Sequence, residues 1–262
     1  MARDLLVEHR EAGVVVVTLD RPDRRNAMTT EMTASFGQAM DELRSDPSVR
    51  CVVITGAGGA FCSGGEVSFL ENGRGAGFPE LRYRMVSFYR TWLQVRDLEV
   101  PTIAAINGQA IGAGLCLALA CDLRYAAEDA TLAAPFTSLG LHPGMAATWL
   151  LPEVASLAVA REMLLAGRTV KGSGAVQLGI VNRAFRREEV LAEALRVASG
   201  IAAKAPVATR LTKVALAGGG HASMEAALLW ESAAQPATMT IEDLLEGLAA
   251  ERERRSPRFR GR

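Results

Sequence analysis

An α/β core followed by a C-terminal helical region is the fold class this sequence predicts. Three observations carry it. Short β-branched runs alternate with helical patterns as far as about residue 150. Two of those runs end in glycine-rich turns, "TGAGGAFCSGGE" and "NGQAIGAG". From Pro152 onward strand signals nearly vanish, and helical patches follow one another between glycines and prolines.

"GVVVVTLD" is short, β-branched and bounded by "RPDRRN", so it reads as a strand and a turn. Thr29 or Thr30 then offers an N-cap, and Met32, Phe36, Met40 and Leu43 recur at helical spacing. "RCVVITGAGGAFCSGGE" reads as a buried strand running into a glycine loop, and "FLENGRGAGFPE" as a flexible insertion. Leu81 to Val95 reads as a helix. "PTIAAING" is a second buried strand, ending in a glycine turn that enters a helix near Gly112. "DLRYAAEDATLAAP" supplies short strands. "VASLAVAREMLLAG", "EEVLAEALRVASGIAAKA", "PVATRLTKVALAGG" and "SMEAALLWESAAQ" supply the helices of the second part. The tail "ERERRSPRFRGR" is basic and short.

The totals narrow the function classes. A chain of 262 residues can bury most of its apolar surface without disulfides. Lys+Arg and Asp+Glu are both 29, so long-range attraction to nucleic acid or an acidic membrane is not expected. Cys51, Cys62, Cys116 and Cys121 form no CxxC pair, and His9, His142 and His221 lie far apart, so no metal site is expected. Reduced thiols suit a cytoplasmic protein. The N-terminus is too charged for a secretory signal. Val100 to Ala120 is apolar, but Pro101, Asn107, Gly108 and Gln109 break it, which argues for strand, turn and helix over a membrane span.

The two glycine loops are the candidate chemistry. Small residues let a ligand approach backbone N–H groups closely. At a helix N-terminus those groups are unpaired and the local dipole is positive. Two such donors converging on one oxygen would suit an enolate or a tetrahedral intermediate. The same glycines would equally serve tight turns and close packing. "TGAGGAF" lacks the GK[ST] ending of a phosphate loop.

Four blocks follow one another over nearly the whole chain: "LDRPDRRNAM", "VVITGAGGAFCSGGE", "PTIAAINGQAIGAGLCLALACDLRYAAEDATLAAP" and "LGLHPGMAATWLLP". In their order and spacing the sequence resembles the enoyl-CoA hydratase/isomerase, or crotonase, superfamily. The resemblance implies a crotonase-like spiral of β-β-α turns with a C-terminal helical trimerisation region. Residues 1–200 would form the α/β spiral core that binds acyl-CoA, and residues 201–262 the helical region for oligomerisation. It further implies an acyl-CoA thioester as the partner, a homotrimer or hexamer, and no cofactor beyond the coenzyme A that is part of the substrate.

Motif matching places the implied oxyanion donors at Gly65 and Ala113, with Gly112 just before the helix. Arg24 or Arg25 would pair a phosphate of coenzyme A, and the backbone near Ala27 would border its nucleotide. Ser63, Gly64, Glu66 and Val67 would line its path. Phe136 and Gly140 are further substrate-contact candidates, and Arg254 would reach the nucleotide of a neighbouring subunit. Phe136, Met145 and Trp149 would make the acyl pocket apolar.

The sequence departs from the resemblance at two positions. Hydratases of the family carry two glutamates where this chain has Cys116 and Phe136. Hydration needs one carboxylate to activate water and one acid to deliver a proton. A buried thiol in an apolar helix has a raised pKa, so Cys116 reads as packing. His142 is then the leading acid/base candidate, since histidine titrates near neutrality. Glu66, Glu71 and Glu80 are lesser ones. Four readings stay open: an enzyme that stabilises a thioester enolate with non-standard acid/base residues, a decarboxylase of a malonyl-type thioester, a non-catalytic acyl-CoA binder, and a structural subunit of a hetero-oligomer.

Overall fold

The computed structural model describes residues 4–66, 75–217 and 220–262. Strands Leu5–His9 (β1) and Val14–Leu19 (β2) form an antiparallel pair, with Leu5 opposite Leu19. Cys51–Gly56 (β3) joins β2 in parallel, with Val14 opposite Cys51. Thr102–Ile106 (β5), Leu123–Ala127 (β7) and Arg183–Phe185 (β10) extend this sheet in parallel, giving the order β1-β2-β3-β5-β7-β10. The short strands Ala60–Cys62 (β4), Gln109–Ile111 (β6), Thr131–Ala133 (β8) and Val170–Lys171 (β9) form a second sheet in the order β4-β6-β8-β9.

Three successive strand pairs, β3/β4, β5/β6 and β7/β8, each give one strand to either sheet. A helix follows each pair, so the chain winds as a spiral of β-β-α turns. Strands buried on both faces need apolar residues throughout rather than alternately. This is why β3 and β5 read as unbroken apolar runs and are buried at every position. The apolar Val100–Ala120 segment resolves into β5, a turn, β6 and a buried helix. Among the described residues no helix is long and apolar enough to cross a membrane.

The first helix, Thr30–Ser45 (α1), is capped by Thr29, whose side chain accepts from the Met32 N–H at 3.1 Å. Its buried face is Met32, Phe36, Met40 and Leu43, with Ala39. Phe36 stacks on Trp92 of helix Phe78–Leu93 (α2), ring centroids 4.3 Å apart. The Trp92 Nε1–H donates to Thr33 Oγ1 at 3.0 Å, so that buried indole is satisfied. Helix Ala113–Ala120 (α3) is buried along its whole length. Helices Ala147–Val154 (α4), Leu157–Leu165 (α5), Gly172–Gln177 (α6) and Val190–Ala202 (α7) complete the layer around the sheets.

Helices Pro206–Leu216 (α8), Met224–Met239 (α9) and Glu242–Glu253 (α10) end the chain. An ion pair between a buried lysine and a more exposed aspartate holds α8 to the core: Lys213 Nζ lies 2.8 Å from Asp122 Oδ2 and donates to the Val100 carbonyl at 2.9 Å. By contrast, α9 buries no residue and exposes Met224, Leu228 and Leu229.

Two sequence expectations are adjusted. Strands do continue beyond Pro152, as β9 and β10, but with two and three residues they are too short to show a period. The helix expected from Leu81 begins at Phe78, after Gly77 as N-cap and with Pro79 in its first turn. The first half of the expected flexible insertion, with Glu71, and the candidate Val67 just before it lie outside the described residues.

Candidate active site

The site is built where the two glycine loops meet. β4 ends at Cys62, and Ser63–Gly64–Gly65 follows. β6 ends at Ile111, and Gly112 turns the chain into α3. Gly112 has φ +56 and ψ −118, a conformation closed to side-chain-bearing residues, and this lets α3 begin immediately after the strand. Gly64 has φ +91. A Cβ there would stand 2.7 Å from the Ile111 carbonyl oxygen and 3.3 Å from the Ala113 nitrogen, so the loops are in contact. Gly114 brings α3 against β4: a Cβ on it would lie 2.3 Å from the Cys62 carbonyl oxygen.

This packing orients two backbone donors. Gly65 bridges Met28 in parallel, through Met28 N–H to the Gly64 carbonyl (2.8 Å) and Glu66 N–H to the Met28 carbonyl (3.3 Å). The Gly65 N–H therefore points away from Met28. Gly65, Gly112 and Ala113 all line one cavity of about 180 Å³. A Cβ on Gly65 would meet nothing within 4 Å. Ala113 is the first residue of α3, so its N–H lies outside the helical ladder and at the positive end of the helix dipole.

The rest of the described wall is mostly apolar. Met85, Phe88 and Tyr89 come from α2, and Phe136, Leu139, Leu141, His142, Gly144 and Met145 from the segment before α4. At the two positions where the resemblance implies acids, Phe136 is half-buried in this wall and Cys116 is buried behind it. Burial pushes the Cys116 thiol up to about 12, and its Sγ contacts the Gly144 carbonyl at 3.7 Å. It is a neutral packing group at physiological pH. His142 stands on the rim, exposed, with Nδ1 2.8 Å from the Pro143 carbonyl oxygen.

The other candidates fall into two groups. Ser63 and Gly64 line the cavity with the donors. Arg24, Arg25 and Ala27 do not, but their loop is tied to it: Ser63 N–H donates to the Arg25 carbonyl at 3.0 Å. Asn26, fully buried, fixes both loops. Its Nδ2 donates to the carbonyls of Ala57 (3.0 Å) and Ala60 (2.8 Å), its Oδ1 accepts from Arg21 N–H at 2.8 Å, and its carbonyl accepts from the Cys62 thiol at 3.1 Å. The Arg24 side chain is exposed beside Asp23. Arg25 and Asn26 both have positive φ in a tight turn.

Among the described residues Glu66, Glu80 and Gly140 are not part of the cavity wall, and Gly140 serves as a left-handed turn with φ +72. Trp149 is corrected: it is 61% exposed on α4 and is not part of the cavity wall, whereas Phe136 and Met145 line it. Arg254 ends α10 in a left-handed turn and is exposed. Tyr89 and Phe88 were missed by sequence reasoning. The spacing Met85, Phe88, Tyr89, Trp92 does mark one helix face, but not what that face borders. Among the described residues no cluster of three His, Cys, Asp or Glu suited to a metal occurs.

The comparisons bear on this geometry. The family model described as Enoyl-CoA hydratase/isomerase matches residues 9–262. The Mus musculus protein described as enoyl-CoA hydratase domain-containing protein 2, mitochondrial, is 34% identical over 255 residues, covering 95% of this chain and 85% of that protein. The crystal structure of enoyl-CoA hydratase from Bacillus anthracis is similar with a TM-score of 0.92 at 31% identity, covering 99% of this chain and 100% of that one. That of an enoyl-CoA hydratase from Polaromonas sp. JS666 gives 0.91 at 31%, with 98% and 99% covered.

Proposed function

Because the chain belongs to the enoyl-CoA hydratase/isomerase family, we propose that it binds an acyl-CoA thioester and stabilises the enolate of that thioester between the N–H groups of Gly65 and Ala113. One observation supports this reading: Gly65 and Ala113 line a single, largely apolar cavity, on two loops held in contact. A preorganised donor in such a site contributes about 3 kcal/mol or more to a transition state that develops negative charge on oxygen. Coenzyme A would run from the cavity along Ser63, Gly64 and Glu66 to the loop at residues 21–27, where Arg24 or Arg25 pairs a phosphate and Ala27 borders the nucleotide. The exposed leucines of α9 and α10, such as Leu229 and Leu245, support assembly of the chain into a homotrimer or hexamer.

The acid/base chemistry is non-standard in this reading. A thiol with a pKa of about 12 at position 116 is no base for water at neutral pH, and Phe136 carries no proton. This wall favours, as the second reading, decarboxylation of a malonyl-type thioester. Loss of carbon dioxide needs an enolate sink but no base, and an apolar wall around the carboxylate favours its departure as a neutral molecule.

The test is mass spectrometry of butyryl-, crotonyl- and malonyl-CoA incubated with the protein in D2O. Ala113→Pro removes one donor at a helix position that accepts proline, and thermal unfolding checks that the variant folds. Deuterium uptake, added water or lost carbon dioxide that the folded variant no longer supports is the expected result. Binding without change in any thioester would leave a non-catalytic acyl-CoA binder as the correct account.

A further inference from the structure

We propose that Tyr89 is a catalytic residue of this site, its phenol delivering a proton to the enolate carbon held opposite the Gly65 and Ala113 donors. The inference rests on the enolate reading above and supplies the proton donor that reading lacks.

Three placements carry it. Tyr89 sits on α2 and lines the same cavity as Gly65, Ala113 and Phe136. Its hydroxyl reaches the segment before α4, where Gly144 leaves room for it: a Cβ on Gly144 would lie 2.5 Å from Tyr89 Oη. The Gly144 carbonyl in turn meets Cys116 Sγ at 3.7 Å, so the hydroxyl lies in a corner backed by that thiol. The backbone that forms this corner is strained. Met145 and Ala146 both have positive φ, at 48° and 54°, and such residues persist only where the surrounding structure over-determines them.

The chemistry fits a donor rather than a resting base. Burial, and then the neighbouring Cys116 thiol, hold the Tyr89 phenol above the usual phenol range, so it is protonated at neutral pH. In the step, the phenol O–H bond breaks and its proton forms the new C–H bond at the α-carbon. The enolate electron pair enters that bond, the thioester carbonyl re-forms, and the charge left on the phenolate is quenched by a proton from water. His142 is placed less well for this role, being exposed on the rim with Nδ1 against the Pro143 carbonyl.

The same step run backwards and forwards exchanges the α-hydrogens of a saturated thioester, with phenolate as the base. Butyryl-CoA in D2O, followed by mass spectrometry from pH 7 to pH 9.5 with a protein-free control, therefore reads it directly. Tyr89→Phe should lower the exchange rate about 100-fold or more while butyryl-CoA affinity stays within about twofold. Replacing Tyr89 by 3,5-difluorotyrosine keeps the shape of the hydroxyl and lowers its pKa, so exchange should be retained and should level off at a lower pH than in the wild type. Exchange lost in Ala113→Pro but kept in Tyr89→Phe would overturn the Tyr89 role alone. Exchange indifferent to Ala113→Pro would overturn the enolate reading beneath it. A loss that follows His142→Ala in place of Tyr89→Phe, or a wild type that binds butyryl-CoA and exchanges nothing, would also overturn the proposal.

Discussion

Gly114 and Cys62 touch backbone to backbone: a Cβ on Gly114 would lie 2.3 Å from the Cys62 carbonyl oxygen. This contact sets α3 against β4 and thereby brings the Ala113 N–H beside the loop that carries Gly65. Neither backbone can yield, because α3 is buried throughout and Cys62 is the last residue of a paired strand.

Gly114→Ala should therefore destabilise the protein by about 1–3 kcal/mol, the range for overpacking a tight core. Gly65→Ala is the contrasting variant. Its Cβ enters open cavity, so stability should stay within about 0.5 kcal/mol while acyl-CoA affinity falls. Urea unfolding and calorimetric titration with an acyl-CoA separate the two effects, and equal losses of stability would contradict the assignment.

The thiols make stability depend on alkaline pH. Burial pushes Cys51, Cys62, Cys116 and Cys121 from 9.0 up to about 12. Between those values the unfolded state holds fewer protons than the folded state, so stability is intact below pH 9 and falls as pH rises toward 12. The slope is at most about 1.4 kcal/mol per pH unit per thiol. Urea midpoints measured from pH 8 to pH 10.5 should decline, and Cys116→Ala should make the decline shallower. At pH 7.5 the native protein should take up no iodoacetamide at its four buried thiols, whereas the denatured protein should take up four.

Lys213 and Asp122 form the anchor of α8, and the two halves of the pair should respond differently to mutation. Asp122→Ala leaves an 8% exposed lysine without its carboxylate and also removes the acceptor for the Thr102 N–H and Oγ1–H. A loss of about 3 kcal/mol is expected, at the lower end for a broken buried pair because the Asp122 side chain is 38% exposed. Lys213→Met keeps the volume and should cost far less. Denaturant midpoints for both variants check this, and a reversed order would contradict it.

Asn26 couples the loop at residues 21–27 to the cavity. Asn26→Ala strands the Ala57 and Ala60 carbonyls and the Arg21 N–H without their partner, at a cost of about 2–4 kcal/mol. Acyl-CoA affinity should weaken together with stability, since Cys62 and Ser63 lose the loop they hydrogen-bond. Unchanged affinity in the folded fraction would separate this loop from coenzyme A binding.

Much of the fold was legible locally. The buried Met32, Phe36, Met40 and Leu43 of α1 follow from spacing alone, because a helix displays its period in its own sequence, whereas the cap was narrowed only to Thr29 or Thr30. The unbroken apolar runs of β3 and β5 announce strands covered on both faces. The glycines of the two loops were visible as places of close approach, and Cys116 and Phe136 could be read directly as side chains that carry no carboxylate. The short strands β9 and β10 were not, since two or three residues carry no period.

The site was less legible than its backbone. The residues themselves encode what depends on one segment: turn conformations at Gly64 and Gly112, helix faces, and the chemistry of the side chain at each position. Tertiary packing decided the rest. It turned Trp149 outward, left His142 on the rim, and brought Tyr89 of α2 to Gly144 across 55 residues of chain, a difference read from their numbers. Such meetings depend on sheet order and on how closely helices approach, both set by many contacts distant in sequence, so no local pattern announces them.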